Sequence, residues 1–303
     1  MRLKEWQLVA LALSVLAATA ALAYFAAHWQ LAAPRLGARC VAVIRLEGTI
    51  AYSTSQLALL GATADPDEIS KLIDRAASDD SIGAVVLLIN SPGGSAAASE
   101  ALYAKVRELA ARKPVVAYVR EYGTSGAYMV ALPARAILAS NSSIVGSVGV
   151  YVSVLTYTGL LEKLGVKVHV FRSGELKDLG AGYRELTPRD AQVLEEVVSD
   201  LFDLFKRRVL AHRSLRDPGD VFTGRPFTAR QALERGLIDG VGTLDDALRL
   251  ARELGGLPPD APVLELRPPR PSLLQLLLRG YPARSPVAPS VEILAMWPPP
   301  MQP

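Results

Sequence analysis

The chain is short of the residues that most directed chemistries need. A single cysteine, Cys40, in 303 residues excludes an intrachain disulfide and any cysteine-based metal cluster. It heads the apolar run Cys40-Val41-Ala42-Val43-Ile44 and reads as a buried, structural thiol. The only histidines are His28, His169 and His212. No two of them have metal-ligand spacing and no carboxylate cluster accompanies them, which argues against a metalloenzyme. There is no P-loop and no strand-linked Gly-x-Gly-x-x-Gly, so neither a metal nor a nucleotide cofactor is expected. Charge is nearly balanced, with 33 Lys and Arg against 30 Asp and Glu. The absence of a basic block with interleaved aromatics argues against a nucleic-acid partner.

What the chain has is hydrophobic residues, which make up half of it, with 21% charged; such a composition folds rather than staying disordered. Leu8 to Ala27 are twenty uncharged residues, about 30 Å as a helix at a rise of about 1.5 Å per residue and long enough to cross a bilayer. Arg2 and Lys4 precede the run, and Trp6, Tyr24 and Trp29 flank it as interfacial aromatics do. A cleavable signal peptide is the rival, but its apolar region is shorter, about 7–15 residues. The run is therefore expected to be one uncleaved anchor.

Beyond a short linker, Val41 to Leu46 reads as a strand, residues 51–66 as a loop and Asp67 to Ser78 as a helix. Ala84 to Ile89 is a continuous apolar run, the mark of a strand buried on both faces of a parallel sheet. It ends in Asn90-Ser91-Pro92-Gly93-Gly94-Ser95, and a helix over 96–112 and a strand over 115–119 follow. Further along, the pattern predicts a helix over 154–164, a strand over 166–171 and a glycine-rich loop over 172–186. Thr187-Pro188 opens a long helix, and another helix spans 244–254. Strand alternating with helix predicts an α/β fold with right-handed crossovers. From 256 proline becomes frequent and the last residues read as an extended tail.

The stretch around which this is organised is Glu121-Tyr122-Gly123-Thr124-Ser125-Gly126-Ala127-Tyr128. A strand enters it and a helix leaves it, so Ser125 is either an ordinary N-cap or a nucleophile displayed on a tight turn. A Ser-His-Asp triad would have to use His169, which lies in apolar alternation and reads as packed. A Ser-Lys dyad is the other route, given a lysine base held away from water. Among the eight lysines, Lys177 alone sits in a glycine-rich loop, where it is either such a base or simply solvated. The Gly93-Gly94 turn is either a common strand-to-helix connection or a place where backbone N–H groups approach a carbonyl oxygen.

Four segments in order resemble the signal peptide peptidase A family: Ile89 to Gly94, Tyr122 to Tyr128, Ser173 to Asp178, and Gly224 to Thr228 with Ala232 to Asp239. These are Ser-Lys serine proteases with a Clp-protease/crotonase-like fold, a repeated β-β-α superhelix, and the resemblance covers roughly residues 40–250. It implies Ser125 as nucleophile, Lys177 as general base, Gly94 and Gly126 as oxyanion donors and Gly93 as substrate-binding. It also implies an anchor on the cell membrane with the protease domain extracytoplasmic, and a homo-oligomeric ring whose dyad can be completed between subunits. The substrates implied are hydrophobic peptides, cleaved signal peptides above all. Ala127 and Thr124 depart from the family's commoner glycine and alanine. The expected organisation is an anchor (1–33), a protease domain (34–255) and a proline-rich tail (256–303). The alternatives left standing are a stomatin-cleaving Ser-Lys protease, a crotonase-fold acyl-CoA enzyme and a non-catalytic ring.

Overall fold

The computed structural model describes residues 14–24, 39–52, 63–267 and 293–296. Residues 14–24 form a helix (α1), exposed throughout. They belong to a compact unit, Met1–Arg39, separate from Cys40–Pro303. No helix among the described residues is long and apolar enough to cross a membrane. The rest of the expected span, at 8–13 and 25–27, lies outside them.

In chain order the second unit runs β1 (Cys40–Glu47), β2 (Thr49–Ile50), β3 (Thr63–Ala64), α2 (Pro66–Ser78), β4 (Ile82–Ser91), β5 (Gly93–Ser95) and α3 (Ala96–Ala110). Next come β6 (Val115–Thr124), α4 (Gly126–Ala131), β7 (Ala136–Ala139), β8 (Ile144–Gly146), β9 (Tyr151–Val152), α5 (Thr158–Lys163) and α6 (Pro188–His212). It closes with α7 (Pro218–Val221), β10 (Pro226–Thr228), α8 (Ala229–Glu234), β11 (Gly240–Val241), α9 (Leu244–Leu254), β12 (Val263–Leu266) and β13 (Ile293–Met296).

The expected α/β class is what the chain adopts. The main sheet has the order β10-β8-β6-β4-β1-β12, with β7 beside β6 and β11 beside β7. Its pairings are parallel except β10 with β8. Alternate residues sort to the two faces. Ala42, Ile44, Leu46, Val85, Leu87 and Ile89 join one core with residues of α2, α3 and α4. Val41, Val43, Val86, Leu88 and Val116 join the other with Ala247 and Ala251 of α9. Cover on both faces is why these strands read as unbroken apolar runs. Each fully buried Leu or Ile contributes about 1.5–3 kcal/mol. The helices begin where their caps predict: Asp65, Thr187 and Thr243 each accept a backbone N–H at the start of α2, α6 and α9.

Three expectations are corrected. Residues 166–171 form no strand: their alternating valines are exposed and find no ladder partner among the described residues. The helix expected over 154–164 is the shorter α5. The main sheet also continues past 255: Leu257, Ala261 and Leu266 are buried, and β12 pairs in parallel with β1. Backbone pairing, which a pattern search cannot see, holds this proline-flanked segment in place.

A second, smaller sheet has the order β3-β2-β5-β13-β9. It joins the segment after β4 to the end of the chain.

Candidate active site

β4 and β6 run side by side and end at the two motifs, so their loops lie at one sheet edge, as ligand sites in such sheets do. The pairing passes from Ile89↔Val119 to Ser91↔Gly123. β6 therefore carries two more residues than β4 across this step, and the exposed Arg120 and Glu121 fall within the bulge. Asn90 holds it: its Oδ1 accepts the Tyr122 N–H at 3.2 Å and its Nδ2 donates to Glu121 at 3.4 Å. Sequence reading passed over Asn90, whose signal was its place at the end of a buried strand, one residue before the Ser-Pro-Gly-Gly turn.

Ser125 follows at the point where β6 becomes α4. Its backbone sits at φ 54, ψ −121, the left-handed side of the map that non-glycine residues avoid at a cost of about 1–3 kcal/mol. Its side chain makes no capping bond. The N-cap reading therefore lacks the hydrogen bond that defines it. Neither neighbouring glycine has positive φ. Gly123 is instead required by closeness, since a Cβ there would stand 2.6 Å from Val119 Cγ2. The elbow is braced from several sides. The Ser125 N–H donates to the Gly146 carbonyl at 2.6 Å. Ser147, the other non-glycine residue with positive φ among the described residues, donates from Oγ to the Gly224 carbonyl at 2.9 Å. The Tyr128 hydroxyl donates to the Leu237 carbonyl at 2.7 Å, and burial raises this phenol well above its usual range. The Gly224–Asp239 motif thus supports the Ser125 turn. The strain is maintained by these surrounding contacts.

The Gly93-Gly94 turn lies in β5, directly after β4. Gly93 has φ +97, and its N–H donates to Ser91 Oγ at 3.2 Å. Gly94 is pressed against β2 so closely that a Cβ would lie 2.0 Å from the Ile50 carbonyl oxygen. Gly126 opens α4 and is buried.

Lys177 is exposed, and within one chain no hydrogen bond joins it to Ser125, which is 1% exposed. The residue after it is tightly held. Asp178 accepts from Arg172 at 2.6 Å, from Arg184 at 3.0 Å and from the Tyr183 hydroxyl at 3.2 Å. The Arg184 bond, with help from Arg172, holds this carboxyl down at about 2. Arg184 also donates to Asp190 at 3.2 Å, and Asp190 accepts the Thr187 N–H at 2.9 Å in the capping box of α6. Gly182 closes the loop, its carbonyl accepting from the Tyr157 N–H at 2.8 Å. The base candidate therefore rides on a fixed loop at the start of a long helix. His169 is exposed rather than packed in a strand. His212 is engaged with the Tyr103 hydroxyl at 3.0 Å, between α3 and α6.

The model of peptidase family S49 matches residues 107–257, a span that contains both Ser125 and Lys177. A putative protease of Methanocaldococcus jannaschii is 40% identical over 188 residues, 61% of this chain and 60% of that protein. A putative protease of Synechocystis is 36% identical over 196 residues, 64% of this chain and 71% of that protein. The chloroplastic serine protease SPPA of Arabidopsis thaliana is 32% identical over 244 residues, 78% of this chain but 36% of that protein.

Proposed function

The chain belongs to peptidase family S49, and from that premise we propose that it is a serine endopeptidase in which Ser125 is the nucleophile and Lys177 the general base. The observation that carries the reading is the Ser125 backbone. A buried serine at φ 54 with no capping bond is strained for no structural return, and strain of that kind collects at reactive groups.

In the proposed reaction the neutral Lys177 amine takes the Ser125 hydroxyl proton as Oγ attacks the peptide carbonyl carbon. The Gly94 and Gly126 N–H groups hold the oxyanion that forms. The Lys177 ammonium then gives its proton to the leaving amine, leaving an acyl-serine. Lys177 next takes a proton from water, the resulting hydroxide attacks the ester, and the carboxylic acid departs as Ser125 regains its proton.

A lysine base needs shelter from water, and Lys177 would acquire it from a second copy. Leu155, Leu160, Leu164, Val166, Val168, Val170 and Phe171 are exposed apolar residues on the segment leading to Lys177, with Phe171 98% exposed. Apolar surface of that extent supports self-association. We therefore read the active form as a homo-oligomer, with Ser125 of one copy served by Lys177 of the next. The uncharged run Leu8–Ala27 supports membrane anchoring; the extracytoplasmic side, and hydrophobic peptides such as spent signal peptides as substrates, are carried over from the family resemblance.

The test is peptidase activity of the full chain in detergent, compared with Ser125→Ala and Lys177→Ala. Each substitution alone should abolish cleavage, and mixing the two inactive proteins should restore part of it. Activity surviving in either variant refutes the dyad, and the absence of recovery on mixing refutes the shared site.

A further inference from the structure

The two backbone donors proposed for the oxyanion stand on different strands, and one side chain ties those strands together where their ladder breaks. Up to Val119, β6 lies between β4 and β7. From Tyr122 on it lies between β4 and β8. β6 therefore changes neighbour within the bulge at Arg120 and Glu121. A bulge interrupts the ladder and bends its strand, so this step sets the direction in which β6 enters the Ser125 elbow. Asn90 spans the interruption with two carbonyls. Its main-chain carbonyl accepts the Gly48 N–H at 3.0 Å, from the turn that leads into β2. Its side-chain carbonyl accepts the Tyr122 N–H at 3.2 Å, in the gap between the two sets of paired residues. β2 is the strand against which Gly94 is pressed, with Ile50 paired to Gly94. Asn90 stands four residues before Gly94, and Tyr122 four residues before Gly126. One carboxamide thus joins the two arms that carry the proposed donors, at equal chain distance from both.

We propose that Asn90 is a positioning residue that sets the distance between the Gly94 and Gly126 N–H groups. This rests on the peptidase reading, since it concerns the oxyanion of that reaction. Asparagine suits the place because one end of its side chain accepts and the other donates. Oδ1 takes the Tyr122 N–H, while Nδ2 donates to the Glu121 carboxylate at 3.4 Å and keeps Oδ1 turned to the main chain. Neither Asn90 nor Tyr122 belongs to either hydrophobic core, so the bond does not secure the packing that stabilises the domain. The elbow is fixed to β8 by the Ser125 N–H and the Gly146 carbonyl at 2.6 Å. The Asn90 bond supplies the matching tie to β4. Without it the elbow can shift against the Gly93-Gly94 turn, and a shift of about 1 Å at preorganised donors lowers the rate by up to about a hundredfold. The oxyanion develops only as the reaction proceeds, so the loss falls on kcat and leaves KM nearly unchanged.

The test compares the full chain in detergent with Asn90→Ala, with Asn90→Asp, and with Asn90→Asp combined with Glu121→Gln. Asn90→Asp keeps an acceptor for the Tyr122 N–H but sets a carboxylate against Glu121. The combination exchanges donor and acceptor and restores the contact. In cleavage of a hydrophobic peptide, Asn90→Ala should lower kcat about ten- to a hundredfold, with KM within about twofold. Asn90→Asp should lose activity, and the combination should return to within about threefold of the parent. A hydrophobic peptide aldehyde reads the donors directly. Ser125 Oγ adds to its carbonyl carbon, and the carbonyl oxygen takes the place of the oxyanion. Its inhibition constant should rise by the factor by which kcat falls, while the matching peptide alcohol, which forms no adduct, should bind all chains equally. Amide hydrogen exchange on chains carrying Ser125→Ala should be faster within residues 118–126 for Asn90→Ala and parent-like for the combination. Unchanged exchange there overturns the proposal, as does a loss in Asn90→Asp that the combination fails to recover. Should Asn90→Ala not fold, that recovery decides alone. A parent chain without Ser125-dependent cleavage, in which exchange still responds to Asn90→Ala, refutes the peptidase reading and leaves the tie at the bulge. Ser125-dependent cleavage that Asn90→Ala leaves intact does the reverse.

Discussion

Replacing Ser125 by alanine and by glycine ranks three chains by stability, and the two readings of this serine give different orders. An N-cap serine satisfies a backbone N–H; losing it to alanine costs about 1 kcal/mol, and to glycine only a few tenths. A cap therefore predicts serine most stable, then glycine, then alanine. At φ 54 with no capping bond the ranking changes. Alanine keeps the Cβ and with it the strain, and gives up a hydroxyl that caps nothing, so it should stay within about 0.5 kcal/mol of serine. Glycine releases strain of about 1–3 kcal/mol. Against this stand about 0.4–1 kcal/mol of extra freedom in the unfolded chain and about 0.8 kcal/mol of lost burial. Mid-range values leave glycine ahead by roughly 0.5 kcal/mol, a rise in Tm of about 1–2 °C for a domain of this size. Urea unfolding should be followed by far-ultraviolet circular dichroism, which reads the helices and strands of the described residues directly. A midpoint highest for serine refutes the strained elbow, and with it the observation on which the nucleophile assignment rests.

The same reasoning reaches other positions. Gly94→Ala places a Cβ 2.0 Å from the Ile50 carbonyl oxygen, so β2 and β5 must part; displacement of about 1 Å at an oxyanion donor should lower kcat by about a hundredfold, and a peptidase assay showing less than a threefold loss would remove Gly94 from the site. Tyr128→Phe leaves the Leu237 carbonyl without the hydroxyl it accepts from and should cost about 1 kcal/mol in urea unfolding; no measurable cost would show that the brace behind the elbow is idle. The Asp178 carboxyl is held at about 2 against a usual 3.8, so it favours the ordered loop above pH 3.8, and the contribution fades as pH falls towards 2. Pepsin should then cut within residues 172–186 increasingly across that window, and Arg184→Met should move the onset to higher pH; a cutting profile that Arg184→Met leaves in place would contradict the network.

β1, β4 and β6 were readable because both faces of the sheet are covered, which turns each strand into an unbroken apolar run. The capped helices α2, α6 and α9 were readable because capping is local chemistry. What escaped depends on partners distant in sequence. β2, β5 and β9 are two or three residues long, too short for any period, and exist only because each lies beside another strand. Residues 166–171 failed in the opposite sense. Val166, Val168 and Val170 alternate as a strand would, yet all three are exposed. Alternation states which side chains want cover and does not state what covers them.

The site divides along the same line. A strand, a tight turn and a helix around Ser125 could be read directly, because glycine on both sides of a serine announces a turn. Which residue bears the strain could not: the positive φ falls on Ser125 while Gly123 answers a clash with Val119. Lys177 was picked out by its loop, but its fixity comes from Asp178, Arg184 and Asp190, three charges joined across twelve residues of sequence. Those charges order the loop while leaving Lys177 exposed in the single chain. On the proposed function, an ordered loop carrying an exposed lysine, next to an uncovered run of apolar residues, would be half of a site. A single chain that buries its serine and displays its lysine is consistent with a catalytic pair drawn from two copies.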